Sequence, residues 1–426
     1  MALLALLIAS FGCATPSVEA EFDEVIQTPM SGVDLDDSEW ARNFPAAADL
    51  AILLDTTDKP VLDFGARTDE GERFLPASWL NTVRKAYDGT FAEDAIAFEN
   101  RDEDWRLVSV RVSPCAPIGI RPSVDIDEWC WPTVRLVWQP VVENYRLPWG
   151  PIVDYYADDR AIHAIYPVAP RNPSGGRIAG EWREVVSAHL ADNRAPSQLQ
   201  SNLVTGFRAV RDASAQAVLG ALHSLRDPRL PSIAYEPLDI RPETQQHPEV
   251  QARFQAGLRW FLNEFAQPRD LHELTSFSLP EGREPATDDL WIFVAFDGNH
   301  GRPTPVDLKV TGRDSGTELI RIGPHQTVAV GVEDEAVEDE LARGNDELRD
   351  SLIVSASDIA AKGAAMADPY QFLVPNTSCA SCHRLDPLRF NFHALSGFEH
   401  HGITVSPRVE GDVQRDMIWS RSLRRR

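Results

Sequence analysis

The chain has 426 residues, with 65 Asp and Glu against 41 Lys and Arg, for a formal net charge of −24. That balance argues against a nucleic-acid-binding role and against direct adsorption to anionic lipid, both of which reward clustered positive charge. The length fits two to three domains, and the pattern predicts an α+β fold: a mixed strand and helix body, a small antiparallel β region and a mostly helical and loop C-terminal segment.

Residues 1–13 read Met-Ala-Leu-Leu-Ala-Leu-Leu-Ile-Ala-Ser-Phe-Gly-Cys13, an apolar run too short to span a bilayer. This run resembles a bacterial lipoprotein signal. The resemblance implies export, a lipid on Cys13, and outer-membrane sorting through Ala14. Ser10 and Phe11 depart from the usual pattern, and no Lys or Arg precedes the apolar run. The alternative is an export signal without lipid. Residues 14–45 are acidic and lack periodicity, as expected of a tether.

Residues 46–170 form a mixed α/β region. A helix is predicted over 77–87 and strands over 106–112, 133–138 and 161–168, with Trp105, Trp129, Trp131, Trp138 and Trp149 expected mainly in a core. Cys115 and Cys130 lie on either side of the turn between the first two strands. An oxidising compartment would let them close a disulfide; the alternative is two buried thiols.

A Pro/Gly turn at 171–176 opens a helical region running to residue 284, with apolar stripes over 181–192, 198–226 and 250–265. His189 and His223 fall in or beside these stripes and read as core or boundary histidines rather than ligands. The period changes to two over 285–333, where 290–296, 306–310, 318–322 and 327–332 read as strands of a small antiparallel sheet. The last segment, 334–426, begins acidic and carries a helix over 357–367.

That segment contains Cys379-Ala-Ser-Cys382-His383, a C-x-x-C-H motif that reads as an attachment site for a covalent c-type haem. Two thiols at this spacing can add across the vinyl groups of one porphyrin edge. The adjacent imidazole then lies beneath the iron as proximal ligand. A four-cysteine zinc site would need a second C-x-x-C, which the chain lacks. From about residue 357 onward the chain resembles an exported mono-haem c-type cytochrome. The resemblance implies one haem c held by Cys379 and Cys382 and ligated by His383. Only 43 residues follow His383, fewer than in ordinary members of that family, so upstream regions are expected to complete the pocket. Candidates for the sixth ligand are His393, which is preferred, and Met417, with His400, His401 and Met366 behind them.

Enzyme signatures are sparse: His272-Glu273 lacks the second histidine of a zinc-protease helix, and no nucleophile elbow or phosphate-binding loop occurs. The expected role is therefore electron transfer rather than catalysis, by a periplasmic, lipid-anchored protein docking a redox partner, with a basic partner suited to its acidic surface. No nucleic acid is expected, and membrane attachment is expected through the lipid alone. A peroxidase-like oxidoreductase with an open iron position is the enzyme alternative. A structural lipoprotein using C-x-x-C-H for zinc or a disulfide is the third reading.

Overall fold

A computed structural model describes residues 44–54, 61–87, 105–117, 129–145, 153–157, 161–168, 201–278, 292–299, 302–306, 308–312, 320–322, 372–373 and 407–423. Among them are five α-helices: α1 (Ala47–Leu50), α2 (Ala77–Tyr87), α3 (Ser201–Ser224), α4 (Pro248–Phe265) and α5 (Pro407–Leu423). The strands are β1 (Ala51–Leu53), β2 (Trp105–Pro117), β3 (Cys130–Tyr145), β4 (Val153–Ala157), β5 (Ala161–Pro167), β6 (Glu273–Ser278), β7 (Ile292–Asn299), β8 (Arg302–Val306), β9 (Leu308–Gly312), β10 (Ile320–Ile322) and β11 (Phe372–Leu373). The fold class is α+β.

Eight strands make one antiparallel sheet in the order β1-β2-β3-β5-β6-β7-β8, with β4 paired to the far end of β3. Its register follows from the period-two pattern of the sequence. One row across the sheet joins Ile52, Val110, Leu136, Ala164, Leu274 and Phe296, each buried in a single apolar core. The adjacent row, one residue along each strand, joins Ala51, Arg111, Arg135, Ile165, Glu273 and Asp297. Successive side chains of a strand face opposite ways, so the first row builds the core and the second carries the charges.

Two helices cover the apolar face. Ala215, Val218, Leu219 and Leu222 of α3 and Phe254, Leu258, Phe261, Leu262 and Phe265 of α4 belong to the same core, at the three- and four-residue spacing of one helical stripe. The two helices approach closely where α4 has Gly257: a Cβ there would meet Leu225 at 3.1 Å. The tryptophans Trp105, Trp129, Trp131 and Trp138 are all buried, and Phe64 stacks on Trp105 with ring centroids 4.8 Å apart. Tyr166 and Trp131 bury their polar ends with partners, the Phe74 and Val168 carbonyls.

Several elements differ from the sequence expectation. The strand expected over 290–296 is β7 and joins the large sheet rather than a separate small one. β6 lies within the stretch expected to be helical and fills the place between β5 and β7; its six residues are too few to outweigh the long stripes before it. The expected strand at 306–310 is shared between the end of β8 at Val306 and β9 from Leu308, which pairs instead with β10 and β11. The helices expected over 181–192 and 357–367 and the strand over 327–332 lie outside the described residues.

The two rows predict unequal costs for neighbouring truncations. Leu136→Ala should destabilise the protein by about 2–5 kcal/mol in urea unfolding, because it opens a cavity in the core. Arg135→Ala, one residue away on the opposite face, should cost several-fold less.

Candidate functional site

The residues singled out for redox chemistry fall into two groups. Cys13, Cys379, Cys382, His383 and His393 lie outside the described residues, as do Met366, His400 and His401. Cys115, Cys130 and Met417 lie within them. Cys115 and Cys130 form a disulfide, with Cα atoms 4.8 Å apart, where β2 and β3 meet. Met417 sits on α5, half-buried and packed against the apolar core. His223 packs edge-on against Phe44, with ring centroids 5.0 Å apart, at the boundary of that core.

Elements with defined contacts precede and follow the C-x-x-C-H motif in the chain. Cys379 follows β11 by six residues, and β11 pairs with β9 through Phe372–Gly312 and Leu373–Thr311. On the other side α5, whose sequence signal is weak, packs against α1 and β2. Val409, Val413, Trp419 and Leu423 bury one side of it. Asp412 pairs with Arg111 at 3.0 Å. Arg415 is buried and donates from Nη2 to the Cys115 carbonyl at 3.0 Å and to Ser113 Oγ at 3.3 Å. Its guanidinium also pairs with buried Asp416 at 2.7 Å. Burial nevertheless raises the Asp416 carboxyl above its ordinary value, although Arg415 opposes that shift. Farther along, the Arg211 guanidinium lies 5.4 Å from the centre of the Trp419 ring.

A second polar cluster, not anticipated from sequence, ties the start of the body to the segment between α3 and α4. The fully buried Asp49 carboxylate accepts hydrogen bonds from Nε and Nη2 of Arg226, from Arg241 Nη1 at 3.0 Å, and from the Ala46 amide at 2.9 Å. Arg241 also donates to the Ala48 carbonyl and, through Nε, to Glu243 Oε2 at 2.9 Å. Glu243 Oε1 in turn accepts from the Tyr235 hydroxyl at 2.6 Å and from the Asp227 amide. The Tyr235 ring is close to both guanidinium groups, 4.6 Å from that of Arg226 and 4.7 Å from that of Arg241. Burial pushes the Tyr235 phenol upward, reinforced by its bond to Glu243. Burial alone would raise the Asp49 carboxyl too, but the hydrogen bond and charge of Arg226, the charge of Arg241 and the Ala46 amide bring it below its ordinary value. The arrangement is closed to water and balanced in charge at its centre. It holds structure together rather than presenting a reactive group.

The sheet contributes one buried imidazole, His163. Burial, then the positive charges of Arg135 and Arg111, hold it neutral well below the ordinary histidine range. Among the described residues no group of three or more His, Cys, Asp or Glu side chains is placed to hold a metal ion. No helix among them is long and apolar enough to cross a membrane. In comparison with known proteins, no family model, no curated protein and no solved structure matches the chain.

Asp49→Asn should cost about 3–5 kcal/mol near neutral pH, since it takes from buried Arg241 and partly buried Arg226 the charge of the carboxylate they share. Because the folded-state pKa of Asp49 is depressed below 3.8, its contribution is present above that value and is lost as pH falls through the folded pKa. The gap between wild type and variant should therefore narrow in acid, as followed by chemical unfolding from pH 7 downward.

Proposed function

We propose that this chain is an exported, lipid-anchored mono-haem c-type cytochrome that carries electrons. Cys379 and Cys382 hold the porphyrin edge through thioethers, His383 ligates the iron, and Cys13 carries the lipid. The observation that carries the reading is the C-x-x-C-H motif at 379–383. The donor set fits the group: two thiols at the required spacing and an imidazole directly beside them. When bound, such a haem supplies a reversible one-electron couple whose potential follows its axial ligands and their surroundings.

The described structure supports this reading in two ways. The Cys115–Cys130 disulfide takes both of those thiols out of competition, so they are not donors for a four-cysteine zinc site with Cys379 and Cys382. A buried disulfide also suits a protein that matures in an oxidising compartment, where haem c attachment belongs. The sixth ligand we assign to His393 rather than Met417. Met417 packs against the core, and turning its thioether to an iron would forfeit that contact, at a cost of roughly 1 kcal/mol or more. The net charge of −24 suits a docking face for a basic redox protein.

Expression with the export signal in a host able to attach haem c, followed by a pyridine haemochrome spectrum after acid-acetone extraction, tests the reading. One non-extractable haem per chain is expected, lost in Cys379→Ala/Cys382→Ala. A mature protein without covalent haem would overturn it. In the holoprotein, Met417→Leu should leave the low-spin ferric spectrum unchanged, whereas His393→Ala should produce a high-spin iron. A wild-type high-spin component with peroxide turnover would instead indicate an oxidoreductase with an open iron position.

A further inference from the structure

We propose that the Cys115–Cys130 disulfide is an oxidative latch for the C-terminal helix: closing it fixes the irregular segment of β2 that seats Arg415, so α5 docks fully only in the oxidised chain. The ladder between β2 and β3 runs unbroken from Ser109–Val137 to Ser113–Thr133 and resumes at Ala116–Trp131, so Pro114 and Cys115 together stand opposite Pro132. Such a bulge leaves backbone groups outside the ladder and bends the strand. Neither proline has an amide hydrogen to contribute. The Cys115 carbonyl points instead to α5, where Arg415 Nη2 donates to it at 3.0 Å and to Ser113 Oγ at 3.3 Å.

The covalent bond and the helix thus share one short piece of backbone. Cys115 and Cys130 are buried in the same core as Val409, Val413, Trp419 and Leu423 of α5. Arg415 and Asp416 are only 4% and 3% exposed. A guanidinium removed from water to that degree depends on each acceptor it has. With the sulfurs unlinked, the bulge loses its covalent tie across the two strands and keeps the ladder pairs on either side. It is then free to relax, and Arg415 loses the carbonyl that faces it.

The chemistry is thiol–disulfide exchange. Cys115 and Cys130 each give up a proton, and together they pass two electrons to the disulfide of a thiol oxidant, which leaves as a dithiol while the new S–S bond forms. In a reducing compartment the helix lacks its seat; after oxidation it has one. The inference rests on described residues alone and stands whether or not residues 379–383 carry haem.

Native-state hydrogen exchange on the full chain tests it. In Cys115→Ala/Cys130→Ala, amides of α5 should lose at least about tenfold of their protection, with α4 changing far less. Equal loss in α4 and α5 would overturn the latch. Arg415→Met, which keeps the disulfide, supplies a second measurement should the cysteine variant fail to fold. Linkage is reciprocal, so this variant should shift the equilibrium of the disulfide against a dithiothreitol redox couple toward the thiols by about the same tenfold factor. An unchanged equilibrium would show that helix and disulfide are independent.

Discussion

Slipping β2 by one residue against β3 would turn Arg111 into the apolar core and expose Val110 to the charged side. That penalty fixes the register of the sheet, and nearly everything else described depends on it. The row from Ile52 to Phe296 gives α3 and α4 a continuous apolar surface on which to lie. The alternate row places Arg111 where Asp412 of α5 can reach it. The same register sets Cys130 near Cys115, so that the disulfide closes across strands already paired.

Charge inside the body is handled by pairing rather than by exclusion. Asp49 and Arg241 are both fully buried, an arrangement that gains little over an apolar one in stability but is costly to disrupt from one side. The effect is positional. Two arginines from the segment after α3 can satisfy one carboxylate in α1 only if both segments take one relative placement. Arg241 reinforces this by donating its amide to the Leu53 carbonyl at the end of β1. Arg415 does the same for α5 by donating to the Cys115 carbonyl and the Ser113 hydroxyl of β2. α1 and α5 are thus held in place by buried ions as well as by apolar contact.

Strong periodicity made much of this legible in the sequence. The helix over 77–87 has the expected bounds, and the stripes over 198–226 and 250–265 correspond to α3 and α4 within a few residues. The strands around Val110, Leu136 and Ala164 lie where the sequence places strands, with longer bounds than expected for the first two. Short elements were illegible because three to six residues carry too little pattern: β1 and β6 acquire their identity from the neighbours they pair with. α5 was hidden for another reason. Its buried side includes Arg415, Asp416 and Ser420, which read as surface residues until their partners are known. The Asp49 cluster was equally invisible, since its carboxylate and its two arginines lie nearly two hundred residues apart. Cys379, Cys382 and His383 present the reverse case: their spacing suggests a chemistry from sequence alone, and they lie outside the described residues.

The two margins of the large sheet are built differently from its middle. At one margin β1 has only three residues, and Leu53 at its end is bridged to Ile240. At the other, β8 reads Arg-Pro-Thr-Pro-Val, in which Pro303 and Pro305 have no amide to offer a newcomer. A long unguarded margin would act as a template on which identical molecules could add strand by strand. Where many copies meet at high local concentration, these blunted margins favour their remaining separate particles rather than growing into a fibre.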